Sequence, residues 1–438
     1  MTPSAPRRRG RPGYAARSRR ALERGPSLVG TELELDVGSV AHGGFCVARH
    51  DGRVVFVRHS LPGERVRAVV TEGGEGDRFL RADAVEVTRP SPDRVPSRCP
   101  HAGPGGCGGC DWQHVDLAAQ RALKASVVAE QLRRLAGLDR EVVVEAAPGE
   151  SDGLGWRTRV EFAVDPRGHA GLRRARSHEV VALEHCPIAR PEVLATGVLE
   201  RDWSGRRAVQ VAVSSTGGRA VLPQPGVDEQ AETLVERVTT PTWSGLFAVA
   251  GAGFWQVHPG APAALVGAVL QALEPRSGDR VLDLYAGVGL FALPLADAVG
   301  ASGAVVAVES DPVAADLARD NAGDRPWVTV RDGRVEDVLP TLPSADLVVL
   351  DPPRTGAGRV IVEQLCARRP RTIAYVACDP AALARDLGYA AQAGYSLAEL
   401  TAYDLFPMTH HVECVAVLRP HSLDEAPEAP ENHAGADG

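Results

Sequence analysis

The chain has 438 residues, of which 44% are hydrophobic and 24% charged, and its formal net charge at pH 7 is −8. This composition is typical of a globular protein with two or three domains, and the negative net charge argues against indiscriminate binding of nucleic acid. No apolar run reaches the ~18 residues of a membrane-spanning helix, and no apolar segment follows the charged amino terminus as in a secretory signal. We therefore expect a cytoplasmic protein with reduced thiols.

The two ends of the chain have opposite charge and are predicted to be disordered. Residues 1–27 contain eight arginines and the single acid Glu23, whereas residues 421–438 are acidic and rich in Pro, Ala and Gly. The basic arm can be a solvated tail or can add contacts to RNA phosphates, and the sequence leaves both interpretations open. The acidic tail has the composition of a disordered segment.

Residues 28–89 predict a small β-barrel. Short segments rich in β-branched residues are separated by glycine-rich turns, and strands this short need closure to bury a core. Barrels of this kind often hold oligonucleotides on one face. The expected strands are Thr31–Val37, Phe45–Arg49, Val54–Arg58, Arg65–Glu72 and Phe79–Thr88.

A proline-rich linker leads into residues 90–240, which contain a cysteine motif. Cys99, Cys107 and Cys110 lie among glycines, which let a backbone wrap closely around a small group. Cys186, which is followed by a proline, offers a fourth thiolate. Three thiolates and one other ligand suit zinc, four thiolates suit an iron–sulfur cluster, and the spacing alone does not decide between them.

The rest of this region combines a helix with arginine-rich turns. Apolar residues at helical spacing predict a helix over residues 116–135. Arginines interleaved with Trp156 and Phe162 suit phosphate contact and base stacking or, equally, a solvated sheet face. These arginines are Arg157, Arg159, Arg173, Arg174 and Arg176. Three further cysteines lie in apolar patterns and are predicted core residues: Cys46, Cys366 and Cys414.

Residues 241–420 predict a parallel α/β sheet, because strand patterns alternate with helix patterns. The strand that begins at Arg280 runs into a turn of the form D-x-x-x-G-x-G, from Asp283 to Gly289. Glu309 ends the next predicted strand, where it can accept hydrogen bonds from ribose hydroxyls. The glycine turn and the acidic residue at the end of the next strand together predict a bound nucleoside. It fits S-adenosylmethionine (SAM) as well as NAD, and the shorter glycine turn favours SAM.

Cys378 follows another predicted strand, Thr372–Val376, and so lies at the ligand-binding edge of a doubly wound sheet. Asp379 is predicted to cap the helix that Pro380 begins. A helix amino terminus lowers the pKa of a nearby thiol and raises its thiolate fraction. The alternative interpretation is a thiol that merely fills the core.

Six stretches of the chain resemble the SAM-dependent RNA 5-methyluridine methyltransferases that carry an amino-terminal TRAM barrel and a 4Fe-4S cluster. The resemblance covers about residues 30–420, and the order of its motifs is highly specific. The stretches are the cysteine block 99–110 with Cys186, Phe254–His258, Asp283–Gly289, Asp351–Arg354, Cys378–Pro380 and Asp404–Glu413.

The resemblance implies a fold and a role for individual residues. The implied fold is α/β: a Rossmann-like class I SAM methyltransferase domain, preceded by a TRAM (OB-like) barrel and an iron–sulfur-containing central α+β domain. Cys378 would be the nucleophile and Glu413 the general base. The residues that would line the SAM pocket are Gln256, Tyr285, Glu309, Asp332 and Asp351. Those that would hold the 4Fe-4S cluster are Cys99, Cys107, Cys110 and Cys186.

The implied reaction is transfer of a methyl group to carbon 5 of a uridine in structured RNA, with ribosomal RNA favoured over transfer RNA by the resemblance only. The target base would leave its stack to react. We expect a monomer with no membrane partner. One alternative is a non-catalytic RNA-binding protein, against which the retained Cys378 and Glu413 argue. A cytosine methyltransferase is disfavoured because Arg354 follows the acidic Asp-Pro-Pro motif.

The chain departs from the family pattern beside the nucleophile. Asp379 stands where Asn is usual, and Ala377 stands where Ser is usual. An Asp next to a thiolate would raise the pKa of the thiol unless its charge is engaged in capping the helix. No departure removes a required chemical group, so activity is still expected.

Overall fold

The computed structural model describes residues 25–149, 152–225 and 232–421. The chain divides into two compact units, Met1–Pro96 and Ser97–Gly438. The arginines of the basic arm and almost all of the acidic tail lie outside the described residues, so both remain predictions. Within the described ranges, no helix is both long and apolar enough to cross a bilayer.

The first unit contains a closed five-stranded barrel, which confirms the prediction for this part of the chain. Its strands are β1 (Glu32–Val40), β2 (Cys46–His50), β3 (Arg53–Arg58), β4 (Arg65–Glu72) and β5 (Phe79–Arg89). They lie in the order β1-β2-β3-β5-β4, and β3 runs parallel to β5. Alternate residues of β1 are buried, so the period-two pattern of its sequence places Leu33, Leu35 and Val37 in the barrel core.

The amino-terminal part of the second unit consists of one long helix and short strands. Asp116 caps the helix, because its carboxylate accepts a hydrogen bond from the amide N–H of Ala118 over 2.9 Å. A π-helical turn, Leu132–Ala136, continues the helix. The elements are α1 (Leu117–Gln131), β6 (Val144–Ala146), β7 (Arg159–Val164), β8 (Ala170–Arg173), β9 (Val180–Ala182), α2 (Pro191–Leu194), β10 (Ala208–Val213), β11 (Arg219–Gln224), β12 (Thr233–Thr239) and β13 (Ser244–Ala250).

Five of these strands form an antiparallel sheet in the order β11-β10-β7-β8-β9. Trp156 and Phe162 are 5% and 0% exposed and pack in the core of this part of the chain. The interpretation that both rings stack on RNA bases, which the sequence left open beside a solvated sheet face, is therefore contradicted by their burial.

The carboxyl-terminal part alternates strands and helices. Its elements are α3 (Ala261–Leu273), β14 (Arg280–Leu284), α4 (Ala292–Val299), β15 (Ala304–Glu309), α5 (Pro312–Ala322), β16 (Val328–Asp332), α6 (Val335–Val338), a 3-10 turn (Leu339–Thr341), β17 (Leu347–Leu350), α7 (Arg359–Ala367), β18 (Thr372–Ala377), α8 (Pro380–Gln392), β19 (Tyr395–Asp404) and β20 (Glu413–Pro420). The predicted α/β architecture is confirmed.

These strands form a sheet in the order β16-β15-β14-β17-β18-β20-β19-β6. Strands β14 to β18 are parallel, and β20 runs antiparallel to β18. Every residue of β17 and β18 is buried, as expected for central strands covered by helices on both faces. The strand order reverses between β14 and β17, and ligands bind at such a switch point.

The two halves of the second unit share one core. Strand β6 pairs with β19 at the sheet edge, and Val128 and Leu132 pack in one hydrophobic cluster with Leu383 and Leu387 of α8. Residues of the amino-terminal half thus support the helix that follows Cys378. The division into a central domain at 90–240 and a methyltransferase domain at 241–420 stays a prediction.

Candidate active site

The carboxyl ends of β14, β15, β17 and β18 open onto a cleft of about 1300 Å³. The cleft brings together the predicted catalytic and SAM-binding residues with one exception, Asp332. Those in its lining are Gln256, Tyr285, Glu309, Asp351, Cys378 and Glu413. Residues separated by more than 150 positions in sequence therefore meet at the switch point of the sheet.

The glycine turn after β14 forms one wall of the cleft. Tyr285 and Gly287 have positive φ angles of 62° and 55°, a conformation that costs glycine little and other residues more. The amide N–H of Gly287 donates to Oε2 of Glu309 over 2.8 Å. The amide N–H groups of Ser310 and Asp311 both donate to Oε1 over 2.7 Å. These bonds hold the Glu309 carboxylate beside the glycine turn.

Asp332 lies at the edge of the site but does not line the cleft. It ends β16, opposite Glu309 in the parallel register, and its carboxylate pairs with the guanidinium of Arg319. Its neighbours Gly333 and Arg334 line the cleft instead.

Two acidic side chains with altered protonation lie at the switch point. Asp283 of β14 is 0% exposed, and burial raises its pKa to about 8. The neighbouring Asp351 and Glu309 raise this pKa further, whereas the amide of Ala292 lowers it. Burial also raises the pKa of Asp351 to about 7. A cation placed beside Asp351, such as the sulfonium of SAM, would favour its ionised form.

Cys378 directly follows β18, is partly exposed and lines the cleft. Oδ1 of Asp379 accepts a hydrogen bond from the amide N–H of Ala382 over 2.8 Å, and Pro380 is the first residue of α8. The predicted helix cap is therefore confirmed, and the Asp379 carboxylate is engaged at the helix start.

The pKa of Cys378 is raised to about 11, so the predicted lowering by the helix terminus is wrong. Burial is the main cause, and the carboxyl groups of Glu413 and Asp351 raise the pKa further. The guanidinium of Arg354 acts in the opposite direction. Desolvation and two nearby acids outweigh the helix terminus, whose effect is that of a partial charge.

Glu413 is the first residue of β20 and is 3% exposed. Its neighbour Cys414 pairs with Ala377 of β18, so the antiparallel register places Glu413 beside Cys378. Burial raises the pKa of Glu413 well above its usual value, Asp351 raises it further, and Arg354 lowers it. A carboxyl group next to a thiol is placed to exchange a proton with a group bound between them.

Three further cleft residues received no role from the sequence, although they lie in motifs singled out there: Arg354, His410 and His411. Nη2 of Arg354 lies 3.4 Å from Nε2 of His411. Burial lowers the pKa of His411 to about 3, so its ring is neutral and can accept this hydrogen bond. The basic residue after Asp-Pro-Pro was the sequence signal for Arg354.

An exposed aromatic ring stands at the cleft beside Gln256. Phe254 is 77% exposed, and it lines the same cleft. The preceding turn is held by Arg159, which is 6% exposed and donates hydrogen bonds to the carbonyl oxygens of Gly251 and Gly253, each over 3.0 Å. An exposed ring at a nucleoside-sized cleft suits stacking on an unpaired base.

The cysteine loop is wound too tightly for larger residues. A Cβ at Gly106 would lie 2.2 Å from the carbonyl oxygen of His101, and a Cβ at Gly108 would lie 2.7 Å from the backbone nitrogen of Ala175. The amide N–H of Gly108 donates to the carbonyl oxygen of Arg173, which ties the loop to the end of β8. The close backbone contacts at these two positions explain why the cysteine motif is rich in glycine.

The four predicted cluster cysteines carry free thiols. The pKa of Cys110 is raised to about 12, mainly by burial, and the charges of the other three cysteines contribute in the same direction. The amide N–H of Gly109 donates to Sγ of Cys107 over 3.3 Å, and hydrogen bonds to sulfur of this kind also surround iron–sulfur clusters. Among the described residues, no three His, Cys, Asp or Glu side chains form a group that could hold a metal ion, so the cluster stays a prediction. Cys46, Cys366 and Cys414 are buried, as predicted.

Comparison with known proteins identifies the family. The family descriptions "TRAM domain" and "tRNA (Uracil-5-)-methyltransferase" match residues 26–85 and 330–421. An uncharacterized RNA methyltransferase of Streptomyces avermitilis is 52% identical over 429 residues, which is 90% of this chain and 99% of that protein. The 23S rRNA (uracil(1939)-C(5))-methyltransferase RlmD of Alkalilimnicola ehrlichii is 34% identical over 478 residues, 93% and 100% of the two chains. The chain belongs to the RNA uracil-5-methyltransferase family.

As a member of this family, the protein is a SAM-dependent methyltransferase. Its fold is similar to that of the Pyrococcus abyssi tRNA (uracil-54, C5)-methyltransferase, solved with S-adenosyl-L-homocysteine. That structure shares 23% sequence identity, covers 87% of this chain and 99% of its own, and gives a TM-score of 0.63. The RNA uracil-5-methyltransferase family thus accounts for both the barrel and the doubly wound sheet.

Proposed function

We propose that the protein transfers the methyl group of SAM to carbon 5 of a uridine in ribosomal RNA, through a covalent adduct between Cys378 and the uracil ring. The observation that carries this proposal is the arrangement of the cleft. Cys378 and Glu413 line it together with Glu309, which ends β15, and Asp351, which follows β17.

A nucleophilic cysteine is needed because carbon 5 of uracil is too weak a nucleophile to react with a sulfonium unaided. The Cys378 thiolate adds to carbon 6, and the displaced electron pair moves into the ring as an enolate. Carbon 5 then attacks the electrophilic methyl group that SAM supplies, and the methyl–sulfur bond breaks with its electron pair on sulfur. Glu413 removes the proton from carbon 5, the ring double bond re-forms, and the Cys378 sulfur leaves.

The charges around Cys378 support this sequence of proton movements. The thiol must lose its proton before it attacks, and Arg354 is the cation that lowers its pKa. Glu413 must be ionised when it acts as the base, and the same guanidinium lowers its pKa. Arg354 therefore favours the ionised form of both catalytic groups.

The cofactor contacts follow from the walls of the cleft. Glu309 would accept hydrogen bonds from the ribose hydroxyls of SAM, since it ends β15 beside the glycine turn. Gln256, Tyr285 and Asp351 would complete the pocket. Near β16 the backbone of Gly333, rather than the Asp332 side chain, would face the adenosine group.

The barrel offers a second surface for RNA, on the outer side of β3 and β5. The rings of Phe56 and Phe79 lie 5.6 Å apart between centroids, and the guanidinium of Arg81 lies 4.9 Å from the Phe79 centroid. Phe79 is 39% exposed. Aromatic rings next to arginine suit the stacking of unpaired bases, so this face would contact a single-stranded part of the RNA.

The cysteine loop would hold a 4Fe-4S cluster through Cys99, Cys107, Cys110 and Cys186. The charge interactions of Cys110 with the other three thiols and the N–H group of Gly109 that donates to Cys107 support this assignment. The cluster would stabilise the loop, since methyl transfer from SAM requires no electron. We further propose that the enzyme works as a monomer in the cytoplasm, where thiols stay reduced.

The proposal is tested by mapping 5-methyluridine in RNA from a strain that lacks the gene. Mass spectrometry of digested ribosomal RNA should show the loss of one 5-methyluridine. A plasmid copy of the wild-type gene should restore it, as should Cys366→Ala, a matched control at a buried cysteine. Cys378→Ala should not. If the modification disappears from transfer RNA instead, the substrate is transfer RNA, and unchanged RNA in both classes contradicts the proposal.

A further inference from the structure

The loop that joins β19 to β20, residues 405–412, is anchored by a polar network that the reaction itself does not use. This 405–412 loop contributes Thr409, His410 and His411 to the cleft lining, and it leads directly into Glu413. Three of its anchors come from residues 111–124, which include the end of the cysteine loop and the first half of α1.

The first anchor is a buried ion pair made by Lys124, the only lysine in the chain. Its ammonium group contacts Oδ1 of Asp404, and both side chains are 0% exposed. Nζ also donates to the carbonyl oxygen of Phe406 over 3.1 Å. Desolvation of two charges offsets most of their attraction, so a pair of this kind contributes more to a defined geometry than to stability.

The second anchor is the buried amide of Gln120. Oε1 accepts a hydrogen bond from the amide N–H of Met408 over 2.8 Å, and Nε2 donates to the carbonyl oxygen of Val115 over 2.9 Å. Met408 has a φ of 65°, which is unfavourable for a residue with a Cβ. The surroundings must therefore hold this residue in place.

The third anchor connects the loop to the cysteine motif. The amide N–H groups of Asp111 and Trp112 both donate to the carbonyl oxygen of Met408 over 3.0 Å. Oδ2 of Asp111 lies 2.6 Å from Nδ1 of His410. The ring of His410 lies 4.1 Å from that of His411, whose Nε2 faces Arg354. A continuous set of contacts thus runs from the residue after Cys110 to the guanidinium beside Cys378.

We propose that Asp111, Gln120 and Lys124 are positioning residues for methyl transfer. They hold the 405–412 loop so that His411 orients Arg354 toward Cys378 and Glu413. Each of the three contacts residues 404–412 as described above, so we expect their effect to act through the loop. The inference rests on the proposed function in one respect: the expected consequence is slower methyl transfer with unchanged binding of SAM.

The test compares Asp111→Ala with wild-type enzyme in three measurements. The side chains of Asp111 and His410 are 19% and 25% exposed, so this variant is expected to fold. The kcat should fall roughly 10- to 100-fold, as for other small displacements of catalytic groups. The Kd of SAM should stay within about twofold, because the glycine turn and Glu309 on the SAM side of the cleft keep their own hydrogen bonds. Deuterium uptake of residues 405–412 should rise, and Asp111→Asn, which keeps an oxygen acceptor for His410, should recover part of kcat.

Two further variants separate positioning from general destabilisation. Asp279→Ala removes an ion pair with Arg371 of comparable exposure, 12% and 36%, at the amino end of β14, and it should leave kcat unchanged. The double variant Lys124→Met and Asp404→Asn removes both buried charges together, so it leaves neither unpaired. It should lower kcat and raise deuterium uptake of the loop.

The inference is overturned if Asp111→Ala keeps wild-type kcat, or if uptake of the 405–412 loop does not change in either variant. If Asp279→Ala lowers kcat as much as Asp111→Ala does, the inference is also overturned. The uptake measurement needs no RNA. Wild-type enzyme that methylates no uridine would therefore contradict the proposed function, while the uptake result would still decide whether residues 111–124 anchor the loop.

Discussion

The reactivity of Cys378 depends on three neighbours that were visible in the sequence only as separate motifs. Glu413 and Asp351 raise the pKa of its thiol, and Arg354 lowers it. Their types and order could be predicted from the sequence, and so could the helix cap at Asp379. The direction of the pKa shift could not, because it depends on burial and on charges from two separate segments, the one after β17 and the start of β20.

Arg354→Gln tests this balance of charges. Without the guanidinium, the pKa of Cys378 should rise further, so less thiolate is present at any given pH. The rising limb of the kcat/KM profile should therefore move to higher pH, by about one pH unit. The measurement is a pH–rate profile between pH 6 and pH 10.

Arg157→Gln is the matched control for that profile. Arg157 also lines the cleft, but its charge acts on Cys107 and Cys186. Its profile should keep the wild-type shape. An unshifted profile for Arg354→Gln, or an equal shift for both variants, would show that Arg354 does not set the protonation of the nucleophile.

Glu413→Gln tests the last step of the reaction. Gln cannot remove the proton from carbon 5, so turnover should fall by roughly 10²- to 10⁴-fold, the range of general-base catalysis. The methylated adduct should accumulate as a protein–RNA band that survives denaturing electrophoresis. A variant that stops turning over without forming this band would place Glu413 before the attack by Cys378 instead.

At the scale of elements, patterns of period two and of alternating strands and helices predicted the barrel and the sheet. They did not show which face of an element is buried. Trp156 and Phe162 lie among arginines in sequence, yet both are buried in one hydrophobic cluster. Two aromatic residues that are exposed in the described part of the chain are Phe254 in the cleft and Phe79 on the barrel.

Phe79→Ala tests the barrel face as an RNA contact. Loss of one stacking ring should weaken binding of single-stranded substrate RNA by about 1–3 kcal/mol. Val85→Ala is the control, since Val85 lies on the same strand and is 42% exposed. Equal affinities of the two variants, measured by fluorescence anisotropy at one salt concentration, would exclude stacking on this face.

At the scale of the whole molecule, distant segments complete the catalytic unit. Strand β6 extends the methyltransferase sheet, and residues 111–124 anchor the 405–412 loop. Sequence motifs located the cysteines and the nucleophile separately. Their connection depends on contacts such as Lys124 with Asp404, 280 residues apart, for which no local pattern exists.

Cys186→Ser tests the cysteine site within the intact protein. Anaerobically purified wild-type protein should contain iron and sulfide and be brown. The variant should lose most of its iron, because serine replaces one thiolate ligand. Cys366→Ser should retain it, since Cys366 is a core residue of α7. Colourless wild-type protein with one zinc would contradict the iron–sulfur assignment.

The covalent role of Cys378 is tested most directly with RNA in which the target uridine is replaced by 5-fluorouridine. Fluorine at carbon 5 cannot be removed as a proton, so the reaction should stop at the adduct after methyl transfer. Peptide mass spectrometry should then find the methylated 5-fluorouridine nucleotide on the peptide that contains Cys378. An adduct on a different residue, or methylated RNA released without any adduct, would contradict the mechanism.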